Sequence, residues 1–533
     1  MNKLILKSAL VLLLGAGISS CTKNLDRLPT NDITSEVVYS TFGGYQQAFA
    51  KVYGAFALTG NSGPAGNGDV QGIDEGTSDF LRLYWWAQEI STDEAVVQVG
   101  WNDPGIHFFH SMNWTTDNVI LKGLYYRSFY QITLANDFIR QTSDANLSKR
   151  GITGADAATI KNYANEARFL RAYQYSILMD LFGNPPFVTE ANVPGGALPQ
   201  QIQRPALFIY IENELKDLES KIPASNEYGR ANKSAVQALL ARIYLNAQVY
   251  TGTPRFQAAA TYAQKVIIEG GYSNLVPDYR NLMRADNQTN TDEFILTINY
   301  DGTRTKSYGG TTFLTHATVG GSMTASNYGI GGGWGGIRTT KSIPALFANV
   351  SGSTDQRAQF YTNGQSIDLT AEPAPSFTQG YAITKYRNLT KSGAQGSSPD
   401  FADIDFPIFR SAEMNLIYAE AVLNEPTAGD RGVALGYLNS LRERAYGGTT
   451  AGNISDSQMT LDYIIDERAR ELCWEGFRRT DLIRFGRFTE DTYLWPWKGG
   501  ASSGTAVPSF RKLFPIPVSD INSNSNLIQN PGY

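Results

Sequence analysis

Apolar positions recur along much of this chain at three- and four-residue spacing, the pattern of amphipathic helices. The clearest stretch is 159–182, where Ile160, Tyr163, Ala167, Leu170, Gln174, Ile177 and Leu181 fall near one face. Gly183 then tolerates the left-handed helix end, and Pro185-Pro186 prevent continuation. The same spacing predicts helices over 38–58 and over 122–142, the latter with Leu124, Tyr125, Phe129, Ile132 and Leu134. Further on, Leu461, Ile464, Ile465, Arg468 and Leu472 stripe one side of another helix.

Two later helix pairs, 234–249 with 255–269 and 413–424 with 432–446, look like tetratricopeptide units. Ala241, Ala259, Ala263, Ala419 and Ala421 provide the small residues that let paired helices approach. The period is irregular, so unrelated amphipathic hairpins fit the pattern as well. Between the pairs the texture changes. Residues 293–300 (EFILTINY) alternate like a strand, 309–336 are rich in Gly, Thr and aromatics, and 351–405 are polar and loop-like. The fold class expected is mostly α: helix pairs forming a scaffold, with long irregular loops and a few short strands. Long insertions in such a framework are more often binding surface than filler.

Composition narrows the picture. A length of 533 residues suffices for a large core, and a net charge of −5 provides no basic footprint for nucleic acid. Lys3 and Lys7 precede an apolar run over 9–18, closed by Ile18-Ser19-Ser20-Cys21. That run is too short to span a bilayer, which needs about 20 residues, but suits a secretory signal. We expect a signal peptide over 1–20, a lipidated Cys21, a tether over 21–34, and membrane contact through the lipid anchor only. Cys473 is the one other cysteine, so no intramolecular disulfide is expected once Cys21 is acylated.

A catalytic constellation is missing from the sequence. The three histidines, His107, His110 and His316, come without an HExxH or CxxC partner. No nucleophile elbow or phosphate loop occurs, and the acidic stretch 74–79 lacks a complete calcium spacing. We therefore expect no enzyme activity, no metal and no cofactor. Sugar binding makes different demands: a flat aromatic face for the ring C–H groups and polar side chains at its edge. Two segments offer these. The first supplies Asp74, Asp79, Arg82, Trp101, Asn102 and Asp103; the second supplies Tyr328, Trp334 and Arg338. Trp101 and Trp334, in loop contexts, are expected to be exposed, and Trp86 and Trp114 to be core.

The chain resembles the SusD/RagB family of outer-membrane nutrient-binding lipoproteins. The resemblance rests on 165–173 (NEARFLRAY) with 180–183 and Pro185-Pro186, on 408–414 (IFRSAEM) with 418–421, and above all on 467–484 (ERARELCWEGFRRTDLIR). Residues 513–517 (LFPIP) and 529–533 (QNPGY) look like the family's ending. The charged residues of 467–478 stand three or four apart, which predicts ion pairs along the helix. The resemblance implies one domain over 35–533, with an N-terminal part to about 230 and a C-terminal part from about 231. It also implies a location at the outer face of the outer membrane, an oligosaccharide ligand, and a SusC-like TonB-dependent transporter as partner. The stretch 91–105 is similar to the glycan-contacting region of starch-binding members. The competing readings are a RagB-type peptide binder, a helix-repeat lipoprotein that assembles envelope proteins, and a surface glycoside hydrolase.

Overall fold

The computed structural model describes residues 35–193 and 195–533. The expected signal over 1–20, Cys21 and the tether over 21–34 lie outside the described residues. The principal helices are α1 (Phe42–Ala57), α2 (Phe80–Trp85), α3 (Val119–Gln141), α4 (Gly154–Leu181), α5 (Arg204–Leu218) and α6 (Lys233–Leu245). They continue with α7 (Phe256–Gln264), α8 (Gly310–His316), α9 (Ser411–Asn424), α10 (Arg431–Ala445), α11 (Leu461–Glu471) and α12 (Arg478–Arg484). Strands β1 (Val96–Val97), β2 (Phe294–Ile298), β3 (Ile337–Arg338), β4 (Phe360–Tyr361), β5 (Ala382–Ile383) and β6 (Phe406–Arg410) pair only two by two. All three pairs, β1–β3, β2–β6 and β4–β5, are antiparallel. The protein is mostly α, as the periodicity predicts.

Helices α3, α4 and α5 pack side by side, and a second run continues through α6, α7, α9 and α10. Chain order is broken between α7 and α9, yet these two helices pack on each other. Ala259, Ala260 and Ala263 of α7 and Ala412, Ala419 and Ala421 of α9 are fully buried, and side chains this small allow a close crossing. Residues 270–410 are therefore an excursion from a continuous helical stack. Its strands β2 and β6 return the chain to the core, and its loops are free to carry function.

Two elements differ from the sequence reading. From Phe169 onward every residue of α4 is buried, so that half is surrounded by protein instead of presenting one face. The glycine-rich stretch after 309 contains α8, whose seven residues are all buried. Gly-Thr-Thr is a poor helix former, and packing against α2 holds the helix in place.

The charged signature also behaves otherwise than predicted. Of its six charged residues only Arg470 and Glu467 pair within the helix, at 2.8 Å. The others reach across the fold: Glu471 to Arg410 (2.7 Å) and Arg444 (2.5 Å), Glu475 to Arg410 (2.7 Å) and Lys385 (2.5 Å), Arg478 to Asp93 (2.6 Å), and Arg468 to Asp481 (2.7 Å). Helix α11 is enclosed by these segments, so its charges find partners on them and not one turn away. Burial alone would raise Glu471, but Arg444, Arg410 and Arg357 outweigh it and hold the carboxyl down to about 2.

Removing one member of a buried pair leaves the others uncompensated. Glu471→Gln is expected to cost about 3–5 kcal/mol, measured by urea unfolding near pH 7. A group whose folded pKa is depressed contributes stability above its unfolded value and loses it as pH falls through the folded one. The stability gap between the parent and Glu471→Gln should therefore be full above pH 4.5 and shrink as pH falls towards 2.

Candidate functional site

Asp79 is the N-cap of α2: its carboxylate accepts from Arg82 N at 2.9 Å and, across the chain, from Gly310 N at 2.8 Å. One side chain thus joins the start of α2 to the start of α8. A Cβ at Gly309 would overlap the Asp79 side chain, so this close approach requires glycine. Burial raises the Asp79 carboxyl to about 6, against the pull of the two N–H donors. Asp79 was expected to meet ligand. The structure corrects this: it is fully buried and builds the site from beneath.

Arg82 extends from α2 into a stack of rings. Its guanidinium lies 4.6 Å from the Trp86 centroid, 5.0 Å from Phe313 and 5.6 Å from Trp101. Its Nη2 donates to Asp103 Oδ2 at 2.7 Å and its Nη1 to the Tyr308 carbonyl at 3.1 Å. The Trp101 indole N–H donates to the same Asp103 oxygen, and Thr77 Oγ1 donates to Asp103 Oδ1 at 3.1 Å. Arg82 and Asp103 thereby fasten three separate segments, those of Thr77, Trp101 and Tyr308, at one place.

Three rings stand above this base. Trp101 is half-buried, Trp334 is 36% exposed and Tyr308 is 39% exposed. The Trp101 and Trp334 centroids are 6.1 Å apart with planes inclined at 52°, and Tyr308 lies 6.4 Å from Trp334 at 60°. Successive tilts of this size make a curved platform. Trp334 is backed by the His316 ring at 5.0 Å and 29°. His316 Nδ1–H donates to the Gly332 carbonyl at 2.7 Å, and burial lowers its pKa, so the ring is neutral near pH 7. Asn102 is exposed beside Trp101. Asp74, also exposed, accepts from Thr77 N at 3.2 Å and lies with Thr77, Asp103 and Pro104 on a cleft of about 450 Å³.

The structure therefore brings together Arg82, Trp101, Asn102, Asp103 and Trp334, with Asp74 at the rim. It does not bring Tyr328 or Arg338 to the surface, which corrects both expectations. Tyr328 belongs to a small separate core with Val319, Met323 and Ile330. Arg338 is fully buried in β3, stacked 3.5 Å from the Phe377 centroid and bonded to the carbonyls of Thr318 and Phe377 at 3.0 Å each. Trp85, Trp86 and Trp114 are buried, Trp86 as the floor beneath Arg82. The sequence reading missed Tyr308. Its signal was the same as that of Trp334, a lone aromatic beside consecutive glycines, here Gly309-Gly310.

A family profile described as "SusD family" matches residues 356–533, and one described as "Starch-binding associating with outer membrane" matches 85–245. The starch-binding protein SusD of Bacteroides thetaiotaomicron is 35% identical, in an alignment covering 100% of this chain and 99% of that one. A solved SusD superfamily protein from the same organism superposes with a TM-score of 0.70 at 21% identity, over 92% of this chain and 100% of its own. Surface glycan-binding protein A from that organism, in complex with laminarihexaose, gives 0.69 at 22%, over 92% of this chain and 99% of its own. These structures share the fold described above. The chain belongs to the SusD family.

Gly336 packs directly on Trp101, and a Cβ there would overlap the six-membered ring at Cε3 and Cζ3. Gly336→Ala should displace Trp101 and change the Trp101–Trp334 geometry, seen as an altered near-UV circular dichroism spectrum. The cost in stability should stay within about 1–3 kcal/mol, because the ring can move towards solvent.

Proposed function

We propose that this protein is a non-catalytic, glycan-binding lipoprotein of the outer membrane, anchored through Cys21 at the cell surface. It captures oligosaccharides there and passes them to a SusC-like TonB-dependent transporter. The observation that carries this reading is the curved platform of Trp101, Trp334 and Tyr308 on the Arg82–Asp103 base, with Asn102 and Asp74 exposed at its edge. Pyranose C–H faces pack on such rings, while the edge groups pair with hydroxyls that would otherwise lose their partners to water.

A curved row of rings suits a glycan that turns along its length better than a flat ribbon. Starch is the first ligand to try, because the relative 35% identical to this chain bears the name starch-binding protein and α-linked glucan coils. Asp103 has Arg82, Trp101 and Thr77 on its oxygens and is spent on holding the site together. The description "Starch-binding associating with outer membrane" for the profile matching 85–245 supports the location. Lipidation at Cys21 and delivery to a transporter complete the reading.

Affinity electrophoresis of the mature chain against starch, laminarin, levan, xylan and pectin tests it. Retardation by one glycan is expected, with affinity at least about tenfold weaker in Trp101→Ala, Trp334→Ala and Tyr308→Ala, as for loss of a central aromatic anchor. Retardation that survives in all three variants, or release of reducing ends from any polysaccharide, would overturn it.

A further inference from the structure

A second concavity shares no residue with the aromatic platform. It has a volume of about 150 Å³ and is lined by Arg280, Arg284 and Arg387 with Gln356, Gln359 and Thr384. Residues 284 and 387 face each other in a parallel bridge, held by main-chain bonds from Arg387 N to the Met283 carbonyl (3.1 Å) and from Ala285 N to the Leu389 carbonyl (3.0 Å). The backbone thus fixes two cationic side chains next to each other, an arrangement that repels.

Arg280 has a partner, since its Nε and Nη2 donate to the two oxygens of Asp278 at 2.9 and 2.8 Å. Arg284 spends only Nε, on the Arg280 carbonyl at 2.8 Å. Arg387 spends Nε and Nη2 on the carbonyl and hydroxyl of Thr384, at 3.0 and 3.1 Å. Among the described residues, neither arginine has a carboxylate within ion-pair distance. Asp286, the other acid that bears on Arg284, accepts from Lys391 N at 2.9 Å. Burial first, and Arg387 second, lower Arg284 to about 10. Two partly desolvated guanidiniums whose remaining N–H groups face an open concavity offer donors to whatever occupies it. Their planar forks match the oxygens of carboxylate, sulfate or phosphate.

We propose that this pocket binds a single oxyanion group between Arg284 and Arg387, with the remaining N–H of Arg280 at its rim. At about 150 Å³ the pocket has room for one such group. The site is independent of the glycan platform, and either reading can fail without the other.

Calorimetric titration of the mature chain with inorganic phosphate, sulfate and glucuronate, at matched ionic strength in chloride, tests the proposal. Saturable binding of at least one probe is expected, weakened about tenfold or more in Arg284→Gln and in Arg387→Gln. Glycan retardation should not change in either variant. Binding of glucuronate alone would identify the source as an acidic sugar; binding of phosphate or sulfate would identify a free or esterified ion. No binding above chloride by any probe, or binding undiminished in both variants, would overturn the proposal. Should the variants misfold, a selenate soak of parent crystals decides: an anomalous peak between the two guanidiniums supports the site, and its absence overturns it.

Discussion

The fold depends on a buried network of charges that no single pair could justify. Glu471 lies between Arg410 and Arg444, and Arg410 also meets Glu293 and Glu475, while Arg357 meets Glu467 and Asp355. These residues come from β6, α10, α11 and the turn after it, the residue before β2 and the loop before β4, and all are buried. Taking so many ions out of water costs several kcal/mol for each, repaid only when every partner is in place. The network's effect is therefore selective: it penalises any arrangement of the excursion 270–410 against the helical stack except one. Buried ionic groups that set register in this way need not add net stability.

From this network the constraint passes to the ligand-facing side. The turn after α11 holds Trp474 at φ 64 and offers the N–H groups of Trp474, Gly476 and Phe477 to the buried carboxyls of Glu94 and Glu89. Arg478 grips Asp93 beside them. Glu89, Asp93 and Glu94 lie in the segment that joins α2 to β1, and the Trp101 loop follows directly. The C-terminal signature thus fixes the N-terminal half of the platform, and Asp79 and Arg82 fix the Tyr308 segment to it. A platform held on both sides loses little freedom when a ligand docks, which is how a shallow site retains useful affinity.

Much of this was legible in the sequence, for physical reasons specific to each part. Helices α3, α4, α6, α9 and α10 could be read because their apolar residues repeat over three or more turns. Helix α8 could not, because Gly310-Thr311-Thr312 has no propensity for helix and is held by packing alone. Trp101 and Trp334 stood out among glycine and polar neighbours, whereas Tyr308 was one of 29 tyrosines. Asp79 carried the right signal for its true role: an Asp directly before the apolar run Phe80-Leu81 is an N-cap. The charges of 467–478 were read as local pairs because sequence spacing reports only neighbours on one helix. Their partners lie 61 residues away for Arg410 with Glu471 and 385 for Arg478 with Asp93.

The same accounting separates structural cations from those available to bind. Arg338 is buried with no carboxylate beside it, yet its N–H groups are spent on carbonyls and its plane on Phe377. Lys498 is caged by the carbonyls of Glu490, Tyr493 and Arg487 at 2.6, 2.9 and 3.3 Å, over the Trp495 ring. Neither needs a further partner, because backbone oxygens replace the lost hydration. Lack of a counter-ion therefore does not by itself mark a site. What distinguishes Arg284 and Arg387 is that the backbone sets them side by side, leaves both Nη groups of Arg284 and Nη1 of Arg387 without a protein acceptor, and opens the space beside them to solvent.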